Sequence, residues 1–378
     1  MNKRPSQEFR FVHLDMVRGV AALLVCLQHL RHLYFVDYST LDPKPSLPGK
    51  LFYLITGQGH NAVMIFFVLS GFFVAGSVAT DFKRESWSWM RFVIRRLSRL
   101  YVVLIPALIL TLLWDSMGKS LAPESDFGIH SFFAFGANLL FTQSIFAPDF
   151  GTNGPLWSVA YEFWYYLMFP LLFCAIALRG RTGERATCLL LLMGCFAILP
   201  GKVLLGGVIW LMGYGAFALF HHKDFSGFAS GKMIFLCGVL VLALSGYLGS
   251  AMPGLATDAD VTHITWRDVL TGFGFALMVP FLAGNQPGAW WYRLCAVGLS
   301  DISYTLYTVH YPALVFLLDV IFRGKNAVPS LTAYATFAGY TMAILLYATL
   351  VWWLFESRTG ALRKFLERRF LKAKPTIG

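Results

Sequence analysis

LDMVRGVAALLVCLQHLRHLYF (residues 14–35) decides the fold class, because it is long and apolar yet holds Arg18, His29 and Arg31. About 20 residues of α-helix cross the hydrocarbon core of a bilayer. Eleven residues separate Arg18 from His29, which is about three helical turns, so both side chains lie on one face about 16 Å apart. The segment therefore predicts a membrane helix that contributes to both ends of an elongated site.

Nine further apolar runs follow this segment. Of the 378 residues, 57% are hydrophobic and 13% are charged, a composition outside the range of ordinary soluble domains. We predict an all-α, polytopic integral membrane helix bundle of about ten transmembrane helices. The segment 187–220 is either two short spans or one kinked or re-entrant segment. The further runs are near 59–80, 100–118, 156–178, 187–200, 203–220, 233–250, 267–284, 300–322 and 332–355.

The basic residues predict the orientation. The net charge is +11, and with ten spans most of the 31 Lys and Arg fall on the side of the N-terminus. The positive-inside rule then places both termini in the cytoplasm and the bundle in the cytoplasmic (inner) membrane. Because the charges form short clusters between apolar runs, no nucleic-acid partner is expected. Residues 1–356 are expected to form one transmembrane domain, and 357–378 a basic cytoplasmic tail at the lipid surface.

Five ionisable side chains inside the predicted spans are candidates for function, because such groups are costly in lipid. They are Arg18, His29, Arg31, Glu162 and His310. Counted along the helices from opposite membrane faces, His29 and Glu162 reach a similar depth. A neutral imidazole beside a carboxylate would be a general base with an orienting partner.

Plainer interpretations stay open for the same residues. His29 could only bond a neighbouring helix, and Arg18 could only extend to the interface. His29 and His32 have the spacing of a metal-ligand pair, but the sequence places no third ligand, so no metal is expected.

A cluster of basic residues lies between the second and third spans, and Arg95, Arg96 and Arg99 occupy adjoining helical positions before Tyr101. Guanidinium groups suit phosphates, since they donate two parallel hydrogen bonds. The cluster, together with Arg18, therefore predicts a phosphate-bearing cofactor that enters from the cytoplasm. The alternative is that the cluster only sets membrane topology.

Five segments form an ordered set of motifs: LDMVRGVAALLVCLQH (14–29), FFVLSGFF (66–73), RRLSRLY (95–101), GPLWSVAYEFWYYLMFP (154–170) and LSDISYTLYTVHYP (299–312). In this order, they resemble the acyltransferase-3 family of membrane O-acyltransferases. The resemblance extends from about Leu14 to Glu356. It implies transfer of an acyl group, commonly acetyl, from cytoplasmic acyl-CoA to a hydroxyl of a glycan or similar acceptor, often outside the cell.

The resemblance also implies roles for individual residues. His29 matches the essential histidine, Arg18 its basic partner in the first segment, and Arg96 and Arg99 an Arg-x-x-Arg pair that would hold acetyl-CoA or another acyl-CoA. Glu162 matches an acidic residue near the reaction centre. The expected acceptor-binding residues are Trp157, Ser158, Tyr161 and His310, although the aromatic ones could equally form an interfacial belt.

The resulting mechanistic hypothesis is that His29, oriented by Glu162, removes the proton of the acceptor hydroxyl during direct transfer. A covalent acyl-imidazole intermediate is the alternative. The rival class is a polytopic transporter or flippase of a small solute or lipid-linked sugar, since such bundles also carry buried His and Glu. The sequence sets neither the acceptor nor the oligomeric state.

Overall fold

The computed structural model describes residues 10–177, 181–222, 228–251, 264–285, 289–322 and 326–371. Within these ranges the chain is mostly helical, and its β-type pairing is limited to isolated bridges. The α-helices in chain order are α1 Val12–Tyr34, α2 Leu47–Thr56, α3 Gly59–Ser70, α4 Gly76–Lys83, α5 Trp89–Leu121, α6 Phe132–Leu139, α7 Trp157–Ala177, α8 Thr182–Ile198, α9 Gly201–Phe220, α10 Phe228–Ala251, α11 Trp266–Gly284, α12 Trp290–Phe322, α13 Leu331–Leu354 and α14 Thr359–Phe370.

Seven segments of the described chain are long and apolar enough to cross a membrane, which confirms a polytopic all-α bundle. The remaining predicted spans are helices as well: α8 has 17 residues, and α10 and α12 have 24 and 33. The count of ten and the orientation of the termini stay predictions. The seven segments are Val12–Tyr34, Leu47–Lys83, Trp89–Leu121, Gly154–Ala177, Gly201–Phe220, Trp266–Gly284 and Leu331–Phe370.

The segment 187–220 forms two separate helices. Leu199 and Pro200 both have extended backbone angles between the end of α8 and the start of α9. Two extended residues interrupt the helical hydrogen-bond ladder, so the segment is not one kinked helix. The partners differ too, because α8 packs against α7 while α9 packs against α3 and α11.

The predicted tail is largely helical where the structure describes it. A short 3-10 turn, Glu356–Arg358, leads into α14, which lies against α5. An ion pair of 3.6 Å between Arg95 Nε and Glu367 contributes to this contact. Residues 372–378 of the predicted tail lie outside the described residues.

The centre of the bundle is built around α1, which packs chiefly against α12 and α3. The segment FFVLSGFF explains how α3 approaches α9. A Cβ on Gly71 would lie 1.8 Å from the carbonyl oxygen of Trp210, so a larger residue would separate the helices. The chain then forms a π-helical turn over Gly71–Ala75 before α4, a distortion frequent at functional sites.

Candidate active site

An arginine-lined cavity of about 100 Å³ lies between α1, α3, α5, α7 and α12. Its apolar wall comes mainly from Phe66 and Phe67 of α3 and from Phe73 of the π-helical turn that follows α3. Its polar lining consists of Arg18, Ser70, Arg96, Arg99, Ser158, Glu162, Tyr166, Ser303, Tyr304 and Tyr307.

The cavity carries an excess of positive charge. Its described lining holds three guanidinium groups and one carboxylate, that of Glu162. The charge of Arg18 is partly neutralised by Asp15, whose Oδ1 lies 3.3 Å from Arg18 Nη2. The same Nη2 donates to the Ser300 hydroxyl. Arg96 Nη2 donates to the neutral Ser77 Oγ at 2.8 Å. An anion is therefore the ligand that this lining favours.

Several buried donors of the cavity are unsatisfied. Within the part of the chain that the structure describes, Arg18 Nε, Arg96 Nε and the Tyr304 hydroxyl have no hydrogen-bond partner. A buried polar group without a partner costs about 1–3 kcal/mol. Three such groups around one cavity indicate a ligand rich in acceptor oxygens, as a phosphate is.

Glu162 belongs to this cavity and not to His29. Its Oε1 accepts a hydrogen bond of 2.6 Å from the Tyr166 hydroxyl, and Ser70 donates to Tyr166 at 3.3 Å. Trp210 Nε1 on α9 donates to Ser70 at 3.0 Å, so the chain of bonds crosses from α9 through α3 to α7. Our expectation that Glu162 orients His29 is therefore corrected, since the protein uses Glu162 on the arginine side.

The partner of His29 is His310. His29 Nδ1 lies 2.8 Å from His310 Nε2, and the two rings meet edge to edge and nearly coplanar, with centroids 5.1 Å apart and planes 11° apart. The ring of Tyr311 packs edge-on against His29 at 5.0 Å. His310 is fully buried, whereas His29 is partly exposed. His29 thus does bond a neighbouring helix, as the plainer interpretation holds, but through a second imidazole.

The local sequence of α12 holds His310 in place. His310 Nδ1 lies 2.9 Å from the carbonyl oxygen of Leu306, one turn earlier in the same helix. Pro312 has no backbone N–H, so it leaves the Thr308 carbonyl free of its helical partner. Asn153 fills the gap by donating to that carbonyl at 2.9 Å. The helix is therefore tied down on both sides of the histidine.

Tyr307 connects the cavity with the histidine pair. Its hydroxyl donates to the Pro155 carbonyl at 2.9 Å and lies 2.5 Å from Ser158 Oγ, so Ser158 is the donor of that second bond. The ring of Tyr307 lies 6.2 Å from that of His310. His29 itself is not among the described residues that line the cavity. The cavity thus reaches the layer of side chains next to the pair.

Two residues expected at the cofactor lie elsewhere. The side chain of Arg95 is 42% exposed and pairs with Asp81 at 3.9 Å and with Glu367. The Tyr101 hydroxyl donates to the Leu139 carbonyl at 2.8 Å. Helical spacing alone could not separate Arg95 from its neighbours, because the three arginines lie within about 100° of one another around α5. Which part of that arc meets the cavity depends on how α5 packs.

The aromatic residues expected to bind the acceptor are core residues. Trp157 and Tyr161 are buried, and their rings contact each other at 5.0 Å. Trp157 also packs edge-on against Phe67 at 6.1 Å. Between these two rings, Ser158 and Val159 line the cavity, whereas Trp157 and Tyr161 do not. Neither ring is available to stack on a sugar at the outer mouth, and neither forms an interfacial belt.

Sequence reasoning missed Tyr166 and Tyr304 of the cavity, which look like ordinary aromatic residues of apolar helices. Two signals were available: both tyrosines lie in segments that carry the family resemblance, and Tyr166 follows Glu162 by four residues, which places the two on one helical face. Among the described residues there is no group of three or more His, Cys, Asp or Glu that could hold a metal ion.

Two relatives match parts of this chain. Acyltransferase MdmB of Streptomyces mycarofaciens is 31% identical over 173 residues, which are 44% of this chain and 40% of that protein. An uncharacterized protein of Haemophilus influenzae is 34% identical over 117 residues, 29% of this chain and 46% of that protein. The chain thus aligns with less than half the length of either relative. No solved structure matches.

A family profile described as an acyltransferase domain, Acyl_transf_3, matches residues 11–356 and so covers α1 to α13. The match includes the cavity, the histidine pair and every one of the five segments noted in the sequence. This multi-pass membrane protein therefore belongs to the acyltransferase-3 family.

Proposed function

We propose that this protein transfers an acyl group, acetyl in the first instance, from acyl-CoA to a hydroxyl of an envelope or exported glycan. The observation that carries the proposal is the arginine-lined cavity, which holds unsatisfied arginine donors and whose lining residue Tyr307 adjoins the histidine pair. An elongated donor with phosphates at one end and a thioester at the other matches this arrangement.

The arginine side is the proposed site of the donor's phosphates. Arg96 and Arg99 lie one turn apart on α5, and Arg18 approaches from α1. Phosphate oxygens would satisfy Arg18 Nε and Arg96 Nε, and the charge of the phosphates would balance the excess of guanidinium groups. By the positive-inside rule this end faces the cytoplasm, where acyl-CoA is available.

The histidine side is the proposed site of chemistry. His29 lies three turns along α1 from Arg18, or about 16 Å. Its Nε2 would accept the proton of the acceptor hydroxyl while the oxygen attacks the thioester carbon. The new C–O bond forms, the C–S bond breaks, and the proton passes from His29 to the leaving thiolate. Holding both substrates against one histidine supplies the proximity that a direct transfer needs.

The experiment that tests this function measures release of free CoA thiol by purified protein in nanodiscs, with acetyl-CoA and a panel of soluble glycans. Wild type is compared with His29→Ala, whose fold is checked by its melting temperature and elution volume. We expect thiol release that requires both an acceptor and His29. Equal release by wild type and the folded variant would contradict the proposal. Folded wild type that neither binds nor consumes acetyl-CoA would favour the transporter or flippase.

A further inference from the structure

We propose that His310 is a positioning residue, which fixes His29 in the tautomer that leaves Nε2 unprotonated. This inference rests on the proposed function, in which His29 Nε2 takes the proton of the acceptor. It assigns to His310 the role that we had expected of Glu162, and it takes His310 out of acceptor binding.

The first step is the protonation of His310. Its Nδ1 lies 2.9 Å from the Leu306 carbonyl oxygen, and a carbonyl can only accept. Nδ1 must therefore carry the hydrogen. His310 is fully buried, and an unpaired charge is costly inside a membrane bundle, so the ring is neutral. A neutral imidazole with Nδ1 protonated has an unprotonated Nε2, which is an acceptor.

The second step is the protonation of His29. The 2.8 Å contact joins His310 Nε2 to His29 Nδ1, and since the former accepts, the latter must donate. His29 Nδ1 therefore carries the hydrogen of its own neutral ring. Its Nε2 is left with a lone pair, and no described residue donates a hydrogen bond to that atom. Two hydrogen bonds thus set which nitrogen of His29 acts as the base.

The arrangement also holds when His29 gains a proton. The imidazolium would then have two N–H groups: the new one on Nε2, and Nδ1–H, which still donates to His310 Nε2. The second hydrogen bond becomes charge-assisted and roughly twice as strong. His310 Nδ1–H donates to a backbone carbonyl, which cannot take up a proton, so the proton on His29 has no route through His310. It leaves through Nε2, toward the thiolate.

A carboxylate would give His29 the same tautomer, as it does in serine hydrolases, but a buried carboxylate is expensive to desolvate. A neutral imidazole supplies the same acceptor without a charge. The in-plane hydrogen bond, together with the ring of Tyr311 against His29, also restrains rotation of the His29 ring. The neutral partner suits a base that lies within an apolar bundle.

Two variants separate hydrogen bonding from packing. His310→Phe keeps a flat ring beside His29 but removes the acceptor. His310→Gln restores an acceptor oxygen near the position of Nε2. We expect kcat to fall by about 10²-fold or more in the Phe variant and to recover at least tenfold in the Gln variant. The KM for acyl-CoA should change little in both, because His310 does not line the cavity within the described chain.

A spectroscopic measurement tests the tautomer without turnover. Protein labelled with ¹⁵N-histidine is compared with its His29→Ala variant, which identifies the His29 ring signals. We expect Nδ1 to be protonated and Nε2 bare in wild type and in His310→Gln, and a mixture of tautomers in His310→Phe. Wild-type protein with His29 protonated at Nε2 instead would overturn the proposal.

The kinetic and spectroscopic measurements can contradict the proposed function and the positioning role separately. If wild type shows no acyl transfer with any acceptor, the proposed function fails, while the nitrogen signals still decide the tautomer. If wild type turns over but His310→Phe keeps its kcat, or His310→Gln is as slow as His310→Phe, the positioning role is wrong. In the latter case His310 contributes packing alone.

Discussion

The arginine-lined cavity and the histidine pair lie in the same bundle but are built in opposite ways. In the cavity, donors of Arg18, Arg96 and Tyr304 are buried without partners. In the pair, the facing nitrogens of His29 and His310 satisfy each other, and His310 also bonds its own helix. Unsatisfied hydrogen-bonding groups favour binding of a ligand, whereas groups that satisfy each other hold side chains in fixed positions. We therefore expect substitutions in the cavity to change the KM for acyl-CoA, and substitutions in the histidine pair to change kcat.

The largest effect should come from the histidine pair. His29→Ala removes the proposed base, so we expect kcat to fall by about 10³-fold. The KM for acyl-CoA should stay close to that of wild type, because His29 is not part of the described cavity lining. Steady-state kinetics with varied acyl-CoA measure both constants. A rise in KM with unchanged kcat would reverse the assignment of the two regions.

The cavity should show the opposite pattern. Arg96→Ala removes a charge-assisted contact to phosphate, so we expect the KM for acyl-CoA to rise by about 10- to 100-fold, with a smaller change in kcat. The matched control is Arg95→Ala, one residue away, whose side chain pairs with Asp81 and Glu367 outside the cavity. Equal defects in both variants would mean that the cluster acts through topology or general charge.

Glu162→Gln sharpens the comparison, because the sequence placed Glu162 with His29 and the structure places it with the arginines. The amide oxygen of the variant can still accept a hydrogen bond from Tyr166, but the substitution removes the negative charge beside the proposed phosphate site. We expect tighter binding of acyl-CoA, by about fivefold, since a nearby like charge is lost. Titration of CoA by calorimetry measures this change. A loss of kcat as large as that of His29→Ala would restore the original pairing.

The smallest effect is expected at Tyr101, which belongs to the same sequence motif as the arginines but lies outside both regions. Tyr101→Phe removes one hydrogen bond to the Leu139 carbonyl, which should lower the free energy of unfolding by about 1 kcal/mol. Both kinetic constants should remain those of wild type. Thermal unfolding in detergent and a single kinetic series measure the two expectations. A clear increase in KM would return Tyr101 to the cofactor site.

Much of the fold was predictable from apolar runs alone, since lipid requires each crossing segment to satisfy its own backbone by helix formation. The break at Leu199 and Pro200 was one of several open alternatives, and the backbone angles identify two helices. For the site, Arg18, Arg96 and Arg99 were expected together around a phosphate, and all three line one cavity. Glu162 was expected beside His29 and Ser158 at the acceptor, but both line the cavity of the arginines. The partner of His29 was not predicted correctly, because the depth of a residue along its helix does not show which neighbouring helix its side chain faces.

The sequence by itself determined a helical membrane protein, the family to which it belongs, and the single helix that carries Arg18 and His29. These follow from local properties: hydropathy, period and ordered motifs. Only the tertiary structure decided that His310 meets His29, that Glu162 meets Tyr166, and that Arg95 turns away from Arg96. Each of these depends on how helices distant in sequence rotate and pack. Side-chain packing between helices sets that rotation, and no single segment contains it.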